Sequence, residues 1–308
     1  MVVYKVKFLI LSPNQIKRYN WGHQLFRNEI GRQEQTIYWG EGFPNFNKTL
    51  KVKDVIDKHC PWKPDIILTY GWRYSVDFKG LDRINDIAKV HITVDYGRPE
   101  GIPKQNNFFK KNKYDLVFAI TQNAYRLLTK NKVCDKIEII PFSVDTNVYK
   151  RLGMPVKDQV LAAFTARSDI YPNRGKVQKA IKQMGIPIIT KRVVHQKLIR
   201  CINSSKITVT SNNVFRSLSM RYTETLACGG FLMADRPDDL EMVGLKDGEH
   251  LVIYKNIKDL KNKVKYYLEH EVERKRIAKQ GMKFVKNHHS CETRVREMVK
   301  IINEGLNL

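Results

Sequence analysis

Short apolar runs alternate with segments of helical periodicity along most of this 308-residue chain, and that alternation restricts its possible folds. Runs such as DIILTY (65–70) and LVFAIT (116–121) are apolar almost throughout, as are strands of a parallel sheet that is covered on both faces. Between such runs, apolar residues recur at every third or fourth position, for example from His23 to Ile30. The pattern predicts βαβ units wound around parallel sheets.

The alternation restarts after a break, which predicts two domains. A second series of strands begins with QVLAAFTA (159–166). Before it, Tyr149 to Asp158 contains Gly, Pro and charged residues without an apolar period, as linkers do. We therefore expect an α/β protein of two Rossmann-like, doubly wound domains, one over residues 1–150 and one over 151–308, the second ending in successive helices.

The charge balance predicts a polyanionic partner. Lys and Arg number 55 against 31 Asp and Glu, which gives a formal net charge of +24 and a pI near 9.8. The excess is spread over both halves of the chain, so no basic tail explains it. Nucleic acids and anionic membranes are both drawn to such a chain. Solubility or genome composition is the alternative explanation.

Cysteine usage and hydropathy indicate a cytoplasmic protein. The five cysteines are an odd number without paired spacing, which argues against a disulfide framework and a zinc ribbon. The opening apolar run contains Lys5 and Lys7, and no small-residue cleavage site follows it. No stretch approaches the roughly 18 consecutive apolar residues of a membrane-spanning helix.

Residues that directly follow strands are the candidates for chemistry, because ligands of doubly wound sheets bind beyond the carboxyl ends of the strands. In the second half, Arg221 and Glu224 lie in a helix predicted to begin near Leu218. Its backbone N–H groups could hold a phosphate, and Glu224 could accept hydrogen bonds from ribose hydroxyls. An amphipathic helix that ends at a glycine cap explains the same residues without a ligand.

Arg167 and Arg174 follow the first strand of the second half, on a loop that enters a helix. Two guanidinium groups placed in this way suit a diphosphate, although solvated surface arginines are the alternative. In the first half, Asp95 follows the strand KVHITV (89–94), and His23 follows the first strand. Either could act as a general base or an electrostatic stabiliser. A histidine at a helix start without a catalytic role is the alternative for His23.

Taken together and in order, these segments resemble the GT-B glycosyltransferases of family 4, or group 1, in particular the spore-maturation-like branch. The resemblance runs from about residue 64 to residue 296. Its strongest part is SSKITVTSNNVFRSLSMRYTETLACGGFLMAD (204–235), which contains the Arg-x-x-Glu helix followed by Ala-Cys-Gly. A later pattern from Gly248 to Arg294 and the segment IIPFSVDTNVY (139–149) also match.

The resemblance implies two domains that face a cleft, with an activated sugar held mainly by the second domain and an acceptor held by the first. The implied donor is a nucleotide diphosphate sugar, with a UDP-sugar and glucose as leading candidates. Glu224 matches the acid that binds the ribose, and the arginines match the diphosphate ligands. The residues implied on the donor side are Arg167, Arg174, Arg221, Glu224, Ser217 and Gly22.

Two further points follow from the resemblance. The family's paired-glutamate motif has another Glu eight positions before Glu224, where this chain has Arg216. The family generally needs no bound metal and no other cofactor, so the acidic run that follows the strand FLMAD is expected to be a solvated turn. That run comprises Asp235, Asp238 and Asp239.

The donor accounts for only part of the positive charge, so we expect an anionic acceptor. The leading candidate is DNA with hydroxymethylated bases, since phage DNA glucosyltransferases share the GT-B fold and must extract the target base. A basic loop with interleaved aromatic residues after Asp95 could follow the phosphates and wedge against bases. The candidate acceptor-binding residues in this loop are Arg98, Lys104, Phe108, Lys110 and Lys111.

Two alternatives to a DNA acceptor remain. One is a lipid or a cell-surface polysaccharide, glycosylated at an anionic membrane; this predicts a helix in the first domain with one basic face and one aromatic face, and none is convincing. The other is a non-catalytic nucleic-acid-binding protein on a GT-B scaffold. The sequence indicates no protein partner.

Overall fold

The computed structural model describes residues 5–17, 21–71, 78–94, 96, 101–164 and 170–308. The chain divides into two compact units, one of Met1–Pro141 with Arg294–Leu308 and one of Phe142–Thr293. The sequence predicts a division at residue 150. In the structure, Phe142 to Lys150 lie in the second unit. The last residues of the chain, from Arg294, lie in the first unit.

The first unit contains a six-stranded parallel sheet in the order β2-β1-β3-β4-β5-β6. Its strands are β1 (Lys7–Leu11), β2 (Gln35–Trp39), β3 (Ile66–Tyr70), β4 (Ala88–Ile92), β5 (Leu116–Ala119) and β6 (Ile137–Ile139). Its described helices are α1 (Trp21–Gln33), α2 (Val52–His59), α3 (Ile102–Asn112) and α4 (Gln122–Lys130), with a 3₁₀ turn at Leu81–Arg83. Strands β3 and β5 are buried at every residue, which explains why both read as unbroken apolar runs.

The second unit contains a five-stranded parallel sheet in the order β11-β10-β9-β7-β8. Its strands are β7 (Lys157–Leu161), β8 (Ile188–Ile189), β9 (Ser205–Thr210), β10 (Leu232–Asp235) and β11 (Val252–Tyr254). Its helices are α5 (Arg174–Lys182), α6 (His195–Asn203), α7 (Met220–Ala227), α8 (Ile257–Glu269) and α9 (Glu271–His288), and α10 (Cys291–Leu306) begins in this unit. The prediction of an α/β fold with two wound parallel sheets is confirmed.

Helix α3 replaces the basic aromatic loop that the sequence predicted. Phe108 is 7% exposed and Phe109 is 1% exposed, and both rings pack against His91 and Tyr114 in the core of the first unit. The prediction that these rings wedge against bases is therefore wrong, because the helix directs them inward. Lys104 and the two lysines at the end of the helix, 110 and 111, are exposed as expected. Arg98 lies outside the described residues.

Among the described residues, no helix combines the length and the apolar character that crossing a membrane requires.

Candidate functional site

The loop between β9 and α7 is held in place by Asp235, the last residue of β10. Its Oδ2 accepts a hydrogen bond from Ser211 Oγ (2.8 Å), and its Oδ1 accepts one from the Asn212 backbone N–H (2.7 Å). The Tyr222 hydroxyl lies 2.9 Å from the carbonyl oxygen of Asp235. Burial raises the pKa of the Asp235 carboxyl. This side chain thus joins the carboxyl ends of two neighbouring strands.

Asp239 fixes the same loop closer to α7. It is 1% exposed, and its Oδ2 accepts a hydrogen bond from the Leu218 backbone N–H (2.8 Å). Asp238, in contrast, is exposed and pairs with Arg216 (2.9 Å). The expected solvated turn is therefore wrong for Asp235 and Asp239, because both carboxylates accept hydrogen bonds from backbone N–H groups of the loop before α7. No group of three or more His, Cys, Asp or Glu in the described ranges could hold a metal ion.

Glu224 lies in α7, with its carboxylate between a tyrosine and an arginine. It is 8% exposed, and its Oε1 accepts a hydrogen bond from the Tyr149 hydroxyl (2.9 Å). Its Oε2 lies 3.7 Å from Arg221 Nη1. That Nη1 is buried and has no hydrogen-bond partner in the part of the chain that the structure describes. A buried donor without a partner is costly, so Arg221 suits a ligand that carries acceptor oxygens.

The first turn of α7 also suits an anion. The helix contains no acidic residue in its first turn, and its N-cap, Ser219, makes no side-chain hydrogen bond to the helix. Backbone N–H groups at a helix N-terminus attract phosphates. Ser217 precedes this turn and is buried, with its backbone N–H bonded to Asn213 Oδ1 (3.2 Å). The helix ends as the sequence indicated, because Gly229 adopts a left-handed conformation (φ +68°).

Arg174 is the first residue of α5 and lies at the same edge of the sheet. Its Nε donates a hydrogen bond to the Ser211 carbonyl (3.1 Å), and its guanidinium carbon lies 3.3 Å from the centroid of the Tyr171 ring. Burial lowers the pKa of Arg174, and the nearby positive charge of Arg221 lowers it further. Arg174 is thus bonded to the loop that precedes α7, the helix that contains Arg221. Arg167 lies outside the described residues.

His23 lies in the first turn of α1, in the first unit, and is 5% exposed. Its Nδ1 lies 2.8 Å from the Tyr70 hydroxyl. Burial, assisted by the charge of Arg27, lowers the pKa of His23 to about 3. A general base works best with a pKa near the working pH, so these surroundings favour the non-catalytic interpretation of His23. Gly22 beside it is buried within α1, and Asp95 lies outside the described residues.

The depressed pKa of His23 makes a prediction about stability. An unfolded histidine binds a proton below about pH 6.5, whereas the folded imidazole resists it down to about pH 3. Stability therefore falls as the pH falls through this window. Urea unfolding measures the free energy of unfolding at pH 6 and at pH 5. Between these values, we expect the free energy of unfolding of His23→Gln to fall by about 1 kcal/mol less than that of the wild type. Equal slopes for the two proteins would show that His23 is not buried as a neutral group.

The sequence does not reveal the hydrogen-bond partners of Glu224 and Asp235. Tyr149 and Glu224 are separated by 75 positions, so no local pattern relates them. In the sequence, Asp235 is recognisable only as part of an acidic run. In the first unit, Arg27 is fully buried and donates to Gln24 Oε1 (2.7 Å), although an arginine in an amphipathic helix is typical of a solvated face.

Comparison with known families identifies one segment of the chain. Residues 174–300 match a family model described as glycosyl transferase-like. The matched segment begins at the first residue of α5 and includes the whole of α7. Among curated proteins, none matches this sequence.

Solved structures share the fold over nearly the whole chain. A glycosyltransferase from Rickettsia africae has 14% identity and a TM-score of 0.66, and the match covers 98% of this chain and 99% of that chain. Sucrose-phosphate synthase from Thermosynechococcus elongatus has 11% identity and a TM-score of 0.65 over 98% and 100% of the two chains. Anabaena HepE, in complex with UDP and glucose, has 12% identity and a TM-score of 0.71 over 98% and 100%. The chain therefore has the GT-B fold of glycosyltransferases, and residues 174–300 carry its glycosyl transferase-like segment.

Proposed function

We propose that this protein is a glycosyltransferase that moves a hexose, with glucose as the leading candidate, from a UDP-sugar to an acceptor hydroxyl. One observation carries the donor half of the proposal: Arg221 and Glu224 lie side by side in α7, both largely buried, within the segment that matches the glycosyl transferase-like family. The structure of HepE in complex with UDP and glucose, which shares the fold, supports a UDP-sugar as donor.

The diphosphate would bind at the start of α7. A diphosphate needs cations and N–H donors. Arg221 lies in the first turn of α7, and Arg174 is bonded to Ser211 in the loop that precedes this helix. Arg221 Nη1 is already desolvated and without a hydrogen-bond partner among the described residues. Binding a phosphate oxygen would satisfy it at little further desolvation cost. We also assign Arg167 to the diphosphate, from the resemblance.

The ribose would bind to Glu224. A carboxylate accepts hydrogen bonds from sugar hydroxyls, and Glu224 Oε2 makes no hydrogen bond within the described structure. Ser217 and Gly22 are the remaining donor-side candidates. The proposal needs no bound metal, because the guanidinium groups and the helix N-terminus supply the positive charge that the diphosphate requires.

For the acceptor, we propose DNA with hydroxymethylated bases. What supports it is charge: the net charge of +24 far exceeds the roughly two charges of the donor diphosphate. Three lysines of α3 are exposed in the first unit: Lys104, Lys110 and Lys111. Asp95 and Arg98 are the catalytic and acceptor-side candidates near α3 in the sequence. A lipid or polysaccharide acceptor at an anionic membrane, and DNA binding without catalysis, are the competing outcomes.

Transfer of labelled sugar tests the acceptor. The protein is incubated with radiolabelled UDP-glucose, in the presence of EDTA, and with hydroxymethylated DNA, the same DNA without hydroxymethyl groups, or anionic vesicles. We expect label in the hydroxymethylated DNA alone, since the unmodified DNA lacks the base hydroxyl that we propose as the acceptor. Label in the vesicles would show that the acceptor is a lipid and not DNA. DNA binding without label in any sample would contradict catalysis.

A further inference from the structure

We propose that Tyr149 is a positioning residue that holds Glu224 in the orientation that binds the ribose, an inference that rests on the proposed donor site. Tyr149 lies in the segment that follows the first unit, whereas Glu224 lies in α7. Its hydroxyl donates to Glu224 Oε1 at 2.9 Å. In the part of the chain that the structure describes, this is the single hydrogen bond to that carboxylate, since Arg221 Nη1 lies beyond bonding distance at 3.7 Å.

The backbone before Tyr149 is fixed by Asp145. The Oδ1 of Asp145 accepts hydrogen bonds from the backbone N–H groups of Asn147 (2.9 Å) and Val148 (3.3 Å). Its carbonyl accepts a further hydrogen bond from the Tyr149 N–H (2.8 Å). Asp145 is itself buried, at 3% exposed. The turn therefore sets the direction in which the Tyr149 side chain leaves the backbone.

The backbone after Tyr149 is fixed by Asn203, the last residue of α6. Its Nδ2 donates to the Lys150 carbonyl (3.1 Å), and its Oδ1 accepts from the Leu152 N–H (2.7 Å). Tyr149 is thus held on both sides by side chains of its own unit. A short segment without secondary structure needs such restraints to place one hydroxyl reproducibly.

Burial increases the contribution of the hydrogen bond between Tyr149 and Glu224. Tyr149 is 1% exposed, and a buried hydroxyl without a partner is unfavourable. A tyrosine has two side-chain torsions, whereas a glutamate has three and is less ordered by itself. The stiff aromatic side chain therefore restricts the flexible one. It leaves Oε2 of Glu224, on the side of Arg221, as the acceptor for a ribose hydroxyl.

The test compares nucleotides with and without ribose hydroxyls. Dissociation constants are measured for UDP and for 2′,3′-dideoxy-UDP. For Tyr149→Phe, we expect about tenfold weaker binding of UDP, from the loss of a hydrogen bond to a charged group, and unchanged binding of the dideoxy analogue. A general structural defect would weaken both. In a Glu224→Ala background, adding Tyr149→Phe should change neither constant, because Tyr149 acts through Glu224.

Tyr114→Phe is the matched control. Tyr114 is a buried tyrosine of the first unit whose hydroxyl lies 2.9 Å from Thr69 Oγ1, and its loss should leave UDP binding unchanged. Thermal unfolding of each variant verifies the fold. Two results would overturn the positioning role alone. In one, Tyr149→Phe prefers UDP over the dideoxy analogue by the same factor as the wild type; in the other, its binding of both nucleotides is weakened equally. Failure of the wild type to bind UDP would overturn the proposed function along with it.

Discussion

Replacing Glu224 with alanine is expected to lower the kcat/KM for the UDP-sugar by roughly 100-fold, which corresponds to about 3 kcal/mol. The carboxylate is buried between Tyr149 and Arg221, so its removal takes away the acceptor that we assign to the ribose. It also leaves the Tyr149 hydroxyl and Arg221 Nη1 buried without the carboxylate. Initial rates at varied UDP-glucose concentration measure the effect, with a saturating amount of the acceptor that the labelling experiment identifies.

The matched control for Glu224 is Glu269→Ala, which removes an exposed glutamate at the end of α8. Its kinetics should equal those of the wild type. Circular dichroism of both variants distinguishes loss of the site from loss of the fold. Kinetics of Glu224→Ala within about threefold of the wild type would contradict the assignment of Glu224 to the donor.

Replacing Gly281 with alanine is expected to destabilise the protein by about 2 to 3 kcal/mol. Alanine favours a helix interior over glycine by about 1 kcal/mol, so helix propensity alone predicts the opposite sign. A Cβ at position 281, however, would lie 2.4 Å from the His250 carbonyl oxygen and 2.8 Å from Leu226 Cδ2. The backbone of His250 cannot move aside cheaply, so the clash outweighs the propensity. Urea unfolding followed by circular dichroism measures the difference.

Gly305→Ala in α10 is the matched control for Gly281→Ala. Within the described part of the chain, no atom outside its own helix lies within 4 Å of the position that its Cβ would take. The same substitution should therefore be neutral or stabilising by up to about 1 kcal/mol. A Gly281→Ala protein as stable as the wild type would show that α9 does not pack against α7 and His250 at this distance.

Strongly apolar elements could be predicted from the sequence almost to the residue. The predicted strands 65–70 and 116–121 correspond to Ile66–Tyr70 and Leu116–Ala119. Both are buried at every residue, so their apolar runs are continuous. Helix α3 was missed for the converse reason: two of its buried positions carry the polar residues Gln105 and Asn112, which break the apolar period that reveals a helix.

The site was only partly predictable. Local sequence is enough to propose Glu224 and Arg221, because both follow a strand of a wound sheet. The sequence places Asp235 in an acidic run typical of a solvated turn, whereas its carboxylate is bonded to the loop after the neighbouring strand. Such contacts depend on which strands become neighbours. Sequence periodicity does not carry that information.

Titration of the wild-type protein with UDP and with uridine, followed by calorimetry, tests the central claim most directly. If α7 and its arginines hold the diphosphate and Glu224 holds the ribose, UDP should bind one to one with a dissociation constant below about 1 mM. Uridine, which lacks the phosphates, should bind at least about tenfold more weakly. Equal binding of the two ligands, or no saturable binding of UDP, would contradict a donor site at this edge of the second sheet.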